Sequence, residues 1–377
     1  MPIKLGIIGL STQANSWTAA AHIVPLRSHP SLSAEYTLTA LVTSTQTTAI
    51  AAADKWGLPS EKAYSSAAEI TADPDVNLVV VGVKVPLHKE LALPALKAGK
   101  DVFVEWPLAN GSEEAQELVI AAREGGGRTL VGLQARCSPA ILKAKEILDS
   151  GALGRIISTD ILGVDSRMIF FPPAYDYSRD AKNGANITTI IAGHVLDAMC
   201  FLLGEFAFLT ANAKVNFPEV TTPFHDGPVS VTAFDSLSIH GELESGTTAT
   251  FQIFSTTSGM NSFTWIITGE KGSLKFEADG VAIQMDPPKL FWYQQEASKS
   301  SAEIYTELDG GPRETWEPVE VADPMAYGQV GEVYHAFAIG EKVKGCLVDF
   351  EGAALRHRML DACFKSARDG TRETYRK

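Results

Sequence analysis

The chain has little basic charge, no paired cysteines and no metal-site pattern. Its 377 residues include 32 Lys and Arg against 45 Asp and Glu, a net charge of −13, which argues against a nucleic acid as a direct partner. The four cysteines, Cys137, Cys200, Cys346 and Cys363, are scattered without a C-x-x-C pair, as is typical of reduced intracellular thiols. We see no apolar signal region and no run long enough to span a bilayer. We therefore expect a cytoplasmic protein with no membrane partner and no metal.

Apolar, strand-like runs alternate with helical segments over the first third of the chain. The runs cover residues 3–9, 36–43, 77–83, 101–105 and 129–133, with helical patterns at 17–26, 47–56, 88–98 and 113–124. Strands that alternate with helices build a parallel sheet covered on both faces. We therefore predict a Rossmann-type, doubly wound, dinucleotide-binding domain at residues 1–135.

Alternating β-rich runs dominate the rest of the chain. We predict strands at 156–162, 210–215, 236–242, 247–254, 262–268 and 273–276, helices at 139–149, 188–203, 334–339 and 350–367, and a linker at 294–313. This pattern is typical of an open-faced, mostly antiparallel sheet with helices. We assign residues 136–377 to a substrate and oligomerisation domain, so the fold class is α/β plus α+β.

The turn after the first predicted strand has part of a dinucleotide-binding pattern. Gly9 could make the tight bend, Ser11 and Thr12 could bring the main chain against a pyrophosphate, and Ala14 could pack the helix on the strand. The match is degenerate, and a βα turn that binds nothing has the same composition. The run of βα units that follows favours the binding interpretation.

The end of the second predicted strand should contact the adenosine ribose. It contains Thr43, Ser44 and Thr45, with no acid to accept bonds from the 2′-hydroxyl of NAD. Hydroxyl groups can bind a 2′-phosphate, so the sequence favours NADP over NAD. The alternative is that these residues only cap the next helix, and both roles are compatible.

Several short motifs follow one another along nearly the whole chain. They are the turn at Gly9, Val85-Pro86-Leu87-His88, Ala95-Leu96-Lys97-Ala98-Gly99-Lys100, Val104-Glu105-x-Pro107-Leu108-Ala109, Gly151-x-Leu153-Gly154, Gly193-His194-x-x-Asp197 and Asp349-Phe350-Glu351-Gly352. Their order and spacing resemble the glucose–fructose oxidoreductase, inositol dehydrogenase and rhizopine-catabolism (Gfo/Idh/MocA) family. The stretches Phe103-Val104-Glu105-Trp106 and Leu133-Gln134-x-Arg136 are most similar to its fungal galactose-pathway repressor branch. The resemblance implies a Rossmann domain followed by an open sheet that often forms oligomers.

The resemblance also implies where catalytic groups would lie. Family dehydrogenases combine the lysine of a Glu-Lys-Pro motif with an aspartate and a histidine spaced D-x-x-x-H. Here the lysine position holds Trp106, the aspartate position holds Ile190, and only His194 remains. Neither an indole nor an alkyl group exchanges protons usefully at neutral pH. His194 could be the proton donor or a buried structural histidine, and Trp106 could line the nicotinamide pocket or only pack beside Pro107.

Other side chains could replace the missing groups. Lys84 and Tyr177 are candidate proton donors, although such a lysine is more often a solvated loop residue. Arg136 could hold an oxygen or an anion, or it could form a structural ion pair. The cofactor contacts expected beyond the turn and the second strand are Val83, Lys84, His88, Glu105, Trp106 and Arg136. The expected substrate contacts are Trp106, Arg136, Asp176, Lys182 and His194, some of which lie on a polar loop that could equally be solvated.

Two functions fit this sequence. One is an NAD(P)-dependent oxidoreductase that acts on a small polar molecule such as a sugar, polyol, carbonyl compound or imine. The other is a catalytically inactive, dinucleotide-binding regulator. The loss of the motif residues favours this function. The acidic net charge argues against it, because an acidic surface binds an acidic protein partner poorly. A redox-neutral lyase or isomerase is a third interpretation. The open sheet predicts a homodimer or homotetramer.

Overall fold

The computed structural model describes residues 1–14, 16–166, 173–294, 315–323, 329–340 and 345–376. The α-helices are α1 (Val24–Ser28), α2 (Pro30–Glu35), α3 (Gln46–Trp56), α4 (Ala67–Ala72), α5 (His88–Lys97), α6 (Ser112–Gly125), α7 (Pro139–Asp149), α8 (Ala192–Leu203), α9 (Val330–Ile339) and α10 (Phe350–Asp369). Turns of π-helix, Ala19–Ile23 and Ile187–Ile191, directly precede α1 and α8.

The strands form two main sheets. They are β1 (Ile3–Ile8), β2 (Tyr36–Val42), β3 (Ala63–Tyr64), β4 (Leu78–Val81), β5 (Asp101–Val104), β6 (Thr129–Val131), β7 (Ile156–Asp165), β8 (Phe206–Lys214), β9 (Glu219–Val220), β10 (Val229–Ser230), β11 (Ser236–Leu243), β12 (Thr248–Ser255), β13 (Ser262–Gly269), β14 (Gly272–Ala278), β15 (Lys289–Gln294) and β16 (Glu317–Pro318). Strands β9 and β10 pair separately as a short ribbon.

The first sheet is parallel and has the order β3-β2-β1-β4-β5-β6. All four residues of β4 are buried, as expected for a strand that helices cover on both faces. The strand order reverses between β1 and β4. Ligands of such sheets bind at the carboxyl ends of the strands beside this reversal. The predicted doubly wound Rossmann sheet is confirmed.

The second sheet has the order β16-β15-β14-β13-β7-β12-β11-β8. Its pairs are antiparallel except for β7 with β12. Inward-facing Phe251, Ile253 and Trp265 are completely buried, whereas Thr250 and Gln252, between them on β12, are exposed. Among the described residues, this outer face is left open. The predicted open, mostly antiparallel sheet is confirmed.

The core helix α8 is buried along nearly its whole length. Residues 181–203, which end with α8, are long and apolar enough to meet the criterion for a membrane span, contrary to the expectation that no such run exists. Of the apolar window, 83% is buried inside the molecule. Burial in the interior of the fold therefore explains the apolar composition of this helix.

The four cysteines are free and buried.

A few elements differ from the expectations. The single helix expected at 17–26 is a π-helical turn followed by α1, because Pro25 has no amide hydrogen and can only begin a helical segment. Strand β3 and helix α4 were not predicted, since two and six residues are too short for a periodic pattern. The linker expected at 294–313 lies outside the described residues except for its first residue.

Candidate functional site

A cavity of about 1060 Å³ lies at the carboxyl ends of β1, β4, β5 and β6. Its N-terminal wall consists of Gly9, Gln13, Ser16, Trp17, Thr18, Gly82, Val83, Lys84, Val85, Leu87, His88, Glu105, Trp106 and Gln134. Its C-terminal wall consists of Asp165, Ala174, Tyr175, Tyr177, Ser178, Arg179, Asn186, Ile187, Ile190, Ile191, His194, Phe217, Val220, Val231, Ala233, Phe234, Asp235, Ser255, Ala282, Gln284, Met285 and Asp286. The volume lies just above the usual range for ligand pockets, roughly 300–1,000 Å³, so the cavity is large enough for a sizeable ligand.

The turn after β1 exposes its main chain at the point where the strand order of the sheet reverses. Gly9 has a φ of +100°, and a Cβ on it would lie 2.5 Å from the Gly82 carbonyl oxygen. The Thr18 hydroxyl donates to the same oxygen over 2.6 Å. Only glycine fits this position without strain, and the exposed backbone fits the close approach of a pyrophosphate.

The other predicted turn residues do not line the cavity. The Ser11 carbonyl accepts a hydrogen bond of 2.8 Å from Trp56 Nε1, and the Thr12 carbonyl accepts one from the Lys55 ammonium. These bonds hold the segment against the end of α3. Ala14 also stays outside the walls, which at this turn contain Gln13 and Ser16 instead.

The hydroxyls after β2 form a helix cap. Thr45 Oγ1 accepts from the Thr48 amide, and the Thr48 side chain accepts from the Thr45 amide, which completes a capping box at the start of α3. Thr43 Oγ1 lies 2.7 Å from Thr48 Oγ1. Neither these residues nor Ser44 line the cavity. Of the two roles considered for these hydroxyls, helix capping and ribose binding, the structure shows helix capping.

Trp106 is a fixed part of the cavity wall. It precedes a cis peptide bond to Pro107, is 5% exposed, and donates from Nε1 to the Thr189 carbonyl over 2.9 Å. Its ring packs on His357 at a centroid distance of 4.8 Å. A Cβ on Gly193 would lie 2.5 Å from Nε1. The indole is therefore packed against α8 and also lines the cavity.

His194 projects from the first turn of α8 into the C-terminal wall, one turn after Ile190. It is 4% exposed, and its Nδ1 has no hydrogen-bond partner among the described residues. Burial lowers its pKa to about 4, against the opposing effect of the negative charges of Asp197 and Glu105. A neutral imidazole with an unpaired nitrogen at a cavity surface can bind or exchange a proton with a ligand.

Glu105 belongs to a buried polar chain. Its Oε1 is 2.7 Å from His22 Nε2, an ion-pair contact rather than a well-aligned hydrogen bond, and His22 Nδ1 is 2.7 Å from the Tyr334 hydroxyl. The Tyr36 hydroxyl in turn donates to the Tyr334 carbonyl over 2.6 Å. Burial raises the pKa of Tyr334 well above its usual value. These contacts fix the carboxylate that follows β5 and faces the cavity.

His88 connects two loops of the N-terminal wall. Its Nδ1 is 2.9 Å from the Pro107 carbonyl oxygen and its Nε2 is 3.0 Å from that of Val83. Burial lowers its pKa below the usual range for histidine. The ring therefore holds the loops after β4 and β5 together, while it also lines the cavity.

Lys84 and Tyr177 come together across the cavity. Lys84 Nζ lies 5.1 Å from the centre of the Tyr177 ring, in a cation–π contact. Burial raises the pKa of Tyr177 above its usual value. The ammonium faces the ring and not the hydroxyl, so this pair brings a cation and a phenol to the cavity without joining them in a proton path.

Arg136 is not in the cavity wall. Its Nε and Nη2 each donate over 2.6 Å to the carboxylate of Asp197, which is completely buried. The same carboxylate accepts from Arg356. The expectation that Arg136 contacts cofactor or substrate is therefore corrected, because a structural ion pair occupies its guanidinium.

Asp176 and Lys182 also lie outside the walls. Asp176 accepts from His225 Nε2 over 2.9 Å and from Arg179 Nε over 3.1 Å. Lys182 pairs with Asp180 and is 77% exposed. The predicted substrate contacts through these two residues are corrected, since each is paired within its own loop or with a neighbouring one.

Two glutamines of the walls were not predicted. Gln134 is 1% exposed and Gln284 is 4% exposed, and the Oε1 atom of each has no hydrogen-bond partner among the described residues. An amide carries no motif that would single it out in a sequence. Among the same residues, no group of three or more His, Cys, Asp or Glu side chains could hold a metal ion.

Comparisons with known proteins agree with this architecture. The family model described as "Oxidoreductase family, NAD-binding Rossmann fold" matches residues 3–133, and that described as "Gal80p, C-terminal domain" matches residues 139–278. The dehydrogenase aclE of Aspergillus oryzae is 39% identical over 380 residues, which cover 99% of this chain and 98% of aclE.

Two solved structures share the fold. The super-repressor mutant E351K of Gal80p from Saccharomyces cerevisiae superposes with a TM-score of 0.84 at 24% identity, covering 99% of this chain and 98% of that one. Levoglucosan dehydrogenase in complex with NADH and levoglucosan superposes with a TM-score of 0.79 at 21% identity, covering all of both chains. The chain belongs to the Gfo/Idh/MocA oxidoreductase family, and its N-terminal part is an NAD-binding Rossmann domain.

Proposed function

We propose that this chain is an NAD(P)-dependent oxidoreductase that acts on a hydroxyl, carbonyl or imine carbon of a small molecule. Residues 1–135 would hold the dinucleotide and residues 136–377 the substrate. One observation supports this most: a single cavity joins the Gly9 turn to His194, whose Nδ1 has no hydrogen-bond partner within the described ranges. The aclE relative, similar over the whole chain, is called a dehydrogenase.

The N-terminal wall fits a dinucleotide. Gly9 and Gly82 keep the backbone bare at the reversal between β1 and β4, and Val83, Lys84, His88, Glu105 and Trp106 continue the wall towards α8. No acid follows β2, where Thr43, Ser44 and Thr45 stand. Because an acid there would repel a 2′-phosphate, we favour NADP over NAD.

The proton chemistry falls to His194. A nicotinamide held by the N-terminal wall would supply the hydride acceptor in oxidation or the hydride donor in reduction. His194 would take the proton of the substrate hydroxyl in oxidation, and the negative charges of Asp197 and Glu105 favour the imidazolium. Trp106, with its N–H bound to Thr189, can only pack and exclude water. Lys84 and Tyr177 are secondary candidates for proton transfer.

Titration with each dinucleotide, followed by turnover assays, tests this proposal. Binding can be followed through fluorescence, because Trp17 and Trp106 line the cavity. We expect NADP to bind more tightly than NAD. His194→Gln should bind NADP within about twofold of the unmodified chain and lose turnover by roughly 10²–10⁴-fold, the usual contribution of general acid–base catalysis. His335→Gln, at a half-exposed position of α9 outside the cavity walls, is the matched control.

A dinucleotide-binding regulator is the second candidate function. The match of residues 139–278 to the Gal80p C-terminal domain favours it, as does the replacement of both ionisable partners of His194 by Trp106 and Ile190. Tight dinucleotide binding with no turnover on alcohols, carbonyl compounds or imines would support the regulator. Failure to bind either dinucleotide would contradict both functions.

We further propose a cytoplasmic homodimer or homotetramer that associates through the open face of the second sheet. The exposed Leu162 on β7 and the polar side chains on β12 form part of this face. A single copy would leave the whole face in water, whereas pairing of two copies covers it by self-complementary contact. A monomer in sedimentation experiments at micromolar concentration would contradict this proposal.

A further inference from the structure

We infer that the substrate has a largely apolar body with a single hydrogen-bonding head at the reacting carbon, and that it is not a sugar or a polyol. The inference rests on the proposed function and narrows its substrate class. It comes from the chemistry of the C-terminal wall, which must contact whatever part of the substrate extends away from the dinucleotide.

Two apolar segments contribute a continuous share of this wall. Ile187, Ile190 and Ile191 come from the π-helical turn before α8, and Phe217, Val231 and Phe234 come from the segment that connects β8 to β11. Ile190 stands where the family resemblance places an aspartate. Contact with these side chains favours apolar surface of a ligand, which leaves water on binding.

Two polar groups of the same wall already have partners. Asn186 Oδ1 accepts from the amides of Thr188 and Thr189 and from the Thr188 hydroxyl. The Asp235 carboxylate accepts from the amides of Asn216 and Phe217 and from the Asn216 side chain. Neither group can replace the water that several sugar hydroxyls would lose on entry. Each unreplaced hydrogen bond reduces affinity.

Three buried atoms of residues that line the cavity have no hydrogen-bond partner in the part of the chain that the structure describes. They are His194 Nδ1, Gln134 Oε1 and Gln284 Oε1, and all three can accept a hydrogen bond. Lys84 and Tyr177 add an ammonium and a phenol to the same cavity. These groups are enough for one polar head group, whereas the isoleucine and phenylalanine side chains offer no hydrogen bond to further hydroxyls. The wall therefore fits an alicyclic or aromatic alcohol, or the corresponding ketone or imine.

Calorimetric titration of the NADP-loaded chain with 1-tetralol and with myo-inositol tests the inference. Both are secondary alcohols on six-membered rings, and they differ in the remainder of the molecule. We expect 1-tetralol to bind at least tenfold more tightly. Ile190→Asn should weaken 1-tetralol binding about tenfold, as expected for loss of a buried aliphatic contact. Ile120→Asn, the same change at a 47% exposed position of α6, should leave it unchanged.

The outcomes separate this inference from the proposed function. If NADP binds and myo-inositol binds as tightly as 1-tetralol, or neither alcohol binds, the apolar substrate class is wrong while the oxidoreductase proposal stands. If NADP does not bind, the result contradicts the proposed function itself, on which this inference rests. Val231→Ser provides a second variant in case Ile190→Asn does not fold, and it should also weaken 1-tetralol binding selectively.

Discussion

Single buried residues set the protonation state of the cavity. His194 and His357 lie on different helices, are each 4% exposed, and have one ring nitrogen without a hydrogen-bond partner among the described residues. Burial lowers the pKa of His194 to about 4 and that of His357 to about 3. Both rings are therefore neutral at physiological pH, which suits His194 as a proton acceptor and leaves His357 as an apolar support for Trp106.

Replacement of His357 by leucine should make the protein less sensitive to acid. The pKa of this histidine is depressed in the folded state, so protons bind the unfolded chain first. Its contribution to stability is present above about pH 6.5 and is lost as the pH falls towards 3. Between pH 7 and pH 4.5 the loss from this one group is on the order of 2–3 kcal/mol.

Urea unfolding at pH 7 and pH 4.5 measures this difference. We expect the unfolding midpoint of His357→Leu to fall less on acidification than that of the unmodified chain, because the remaining contribution comes from His194 and other groups common to both. His335→Leu, at a half-exposed position of α9, should behave like the unmodified chain. Parallel pH dependence in all three proteins would show that His357 is not a buried neutral group.

At the scale of elements, α8 packs against the loop after β5 through a glycine. A Cβ on Gly193 would lie 2.5 Å from Trp106 Nε1 and 2.7 Å from Cζ2. Gly193→Ala should therefore displace the indole, weaken its bond to Thr189, and destabilise the fold by about 1–3 kcal/mol, as overpacking usually does.

A double-mutant cycle isolates this contact. Trp106→Phe removes the atoms that the new Cβ would meet, so Gly193→Ala should cost less in that background, with a coupling energy above about 1 kcal/mol. Gly227→Ala, whose Cβ would meet nothing within 4 Å, should be neutral within about 0.5 kcal/mol. Additive effects of the two changes would mean that the indole already has room to move.

The elements themselves were largely predictable from local patterns. Residues 102–104 are apolar and are followed by Glu105-Trp106, so a buried strand with polar and aromatic groups at its carboxyl end was predicted directly. The helix that carries His194 was predicted from its strongly apolar composition, whereas His194 itself was singled out by the family resemblance. These features depend on neighbours in the chain, which a sequence displays.

The partners of polar residues were not predictable. Arg136 pairs with Asp197, 61 positions away, and Asp176 pairs with His225, 49 positions away. A sequence shows that such charges exist but not which of them meet in the fold. The same holds for Gln134 and Gln284, which become acceptors in the cavity only because other elements bury them without partners.

At the scale of the whole molecule, buried charges connect the two sheets. Asp197 on α8 accepts from Arg136, which follows β6, and from Arg356 on α10 over 3.2 Å. Arg356 Nη2 also donates to Glu205 over 2.7 Å, and the Tyr375 hydroxyl donates to Glu205 over 2.5 Å. Although burial alone raises it, these donors hold the pKa of Glu205 down at about 2.

Asp197→Ala should be the most destabilising change in this network. It leaves two guanidinium groups without their shared carboxylate in the interior, and breaking a buried pair on one side costs about 3–5 kcal/mol. Glu146→Ala is the control, because its pair with Lys143 is solvent-exposed and worth at most about 1 kcal/mol. Urea unfolding of both variants measures the difference. Equal stability of the two variants would contradict a connecting role for the network. Asp197 also joins the segment after the parallel sheet to α8, which carries His194. We therefore expect Asp197→Ala to weaken NADP binding as well.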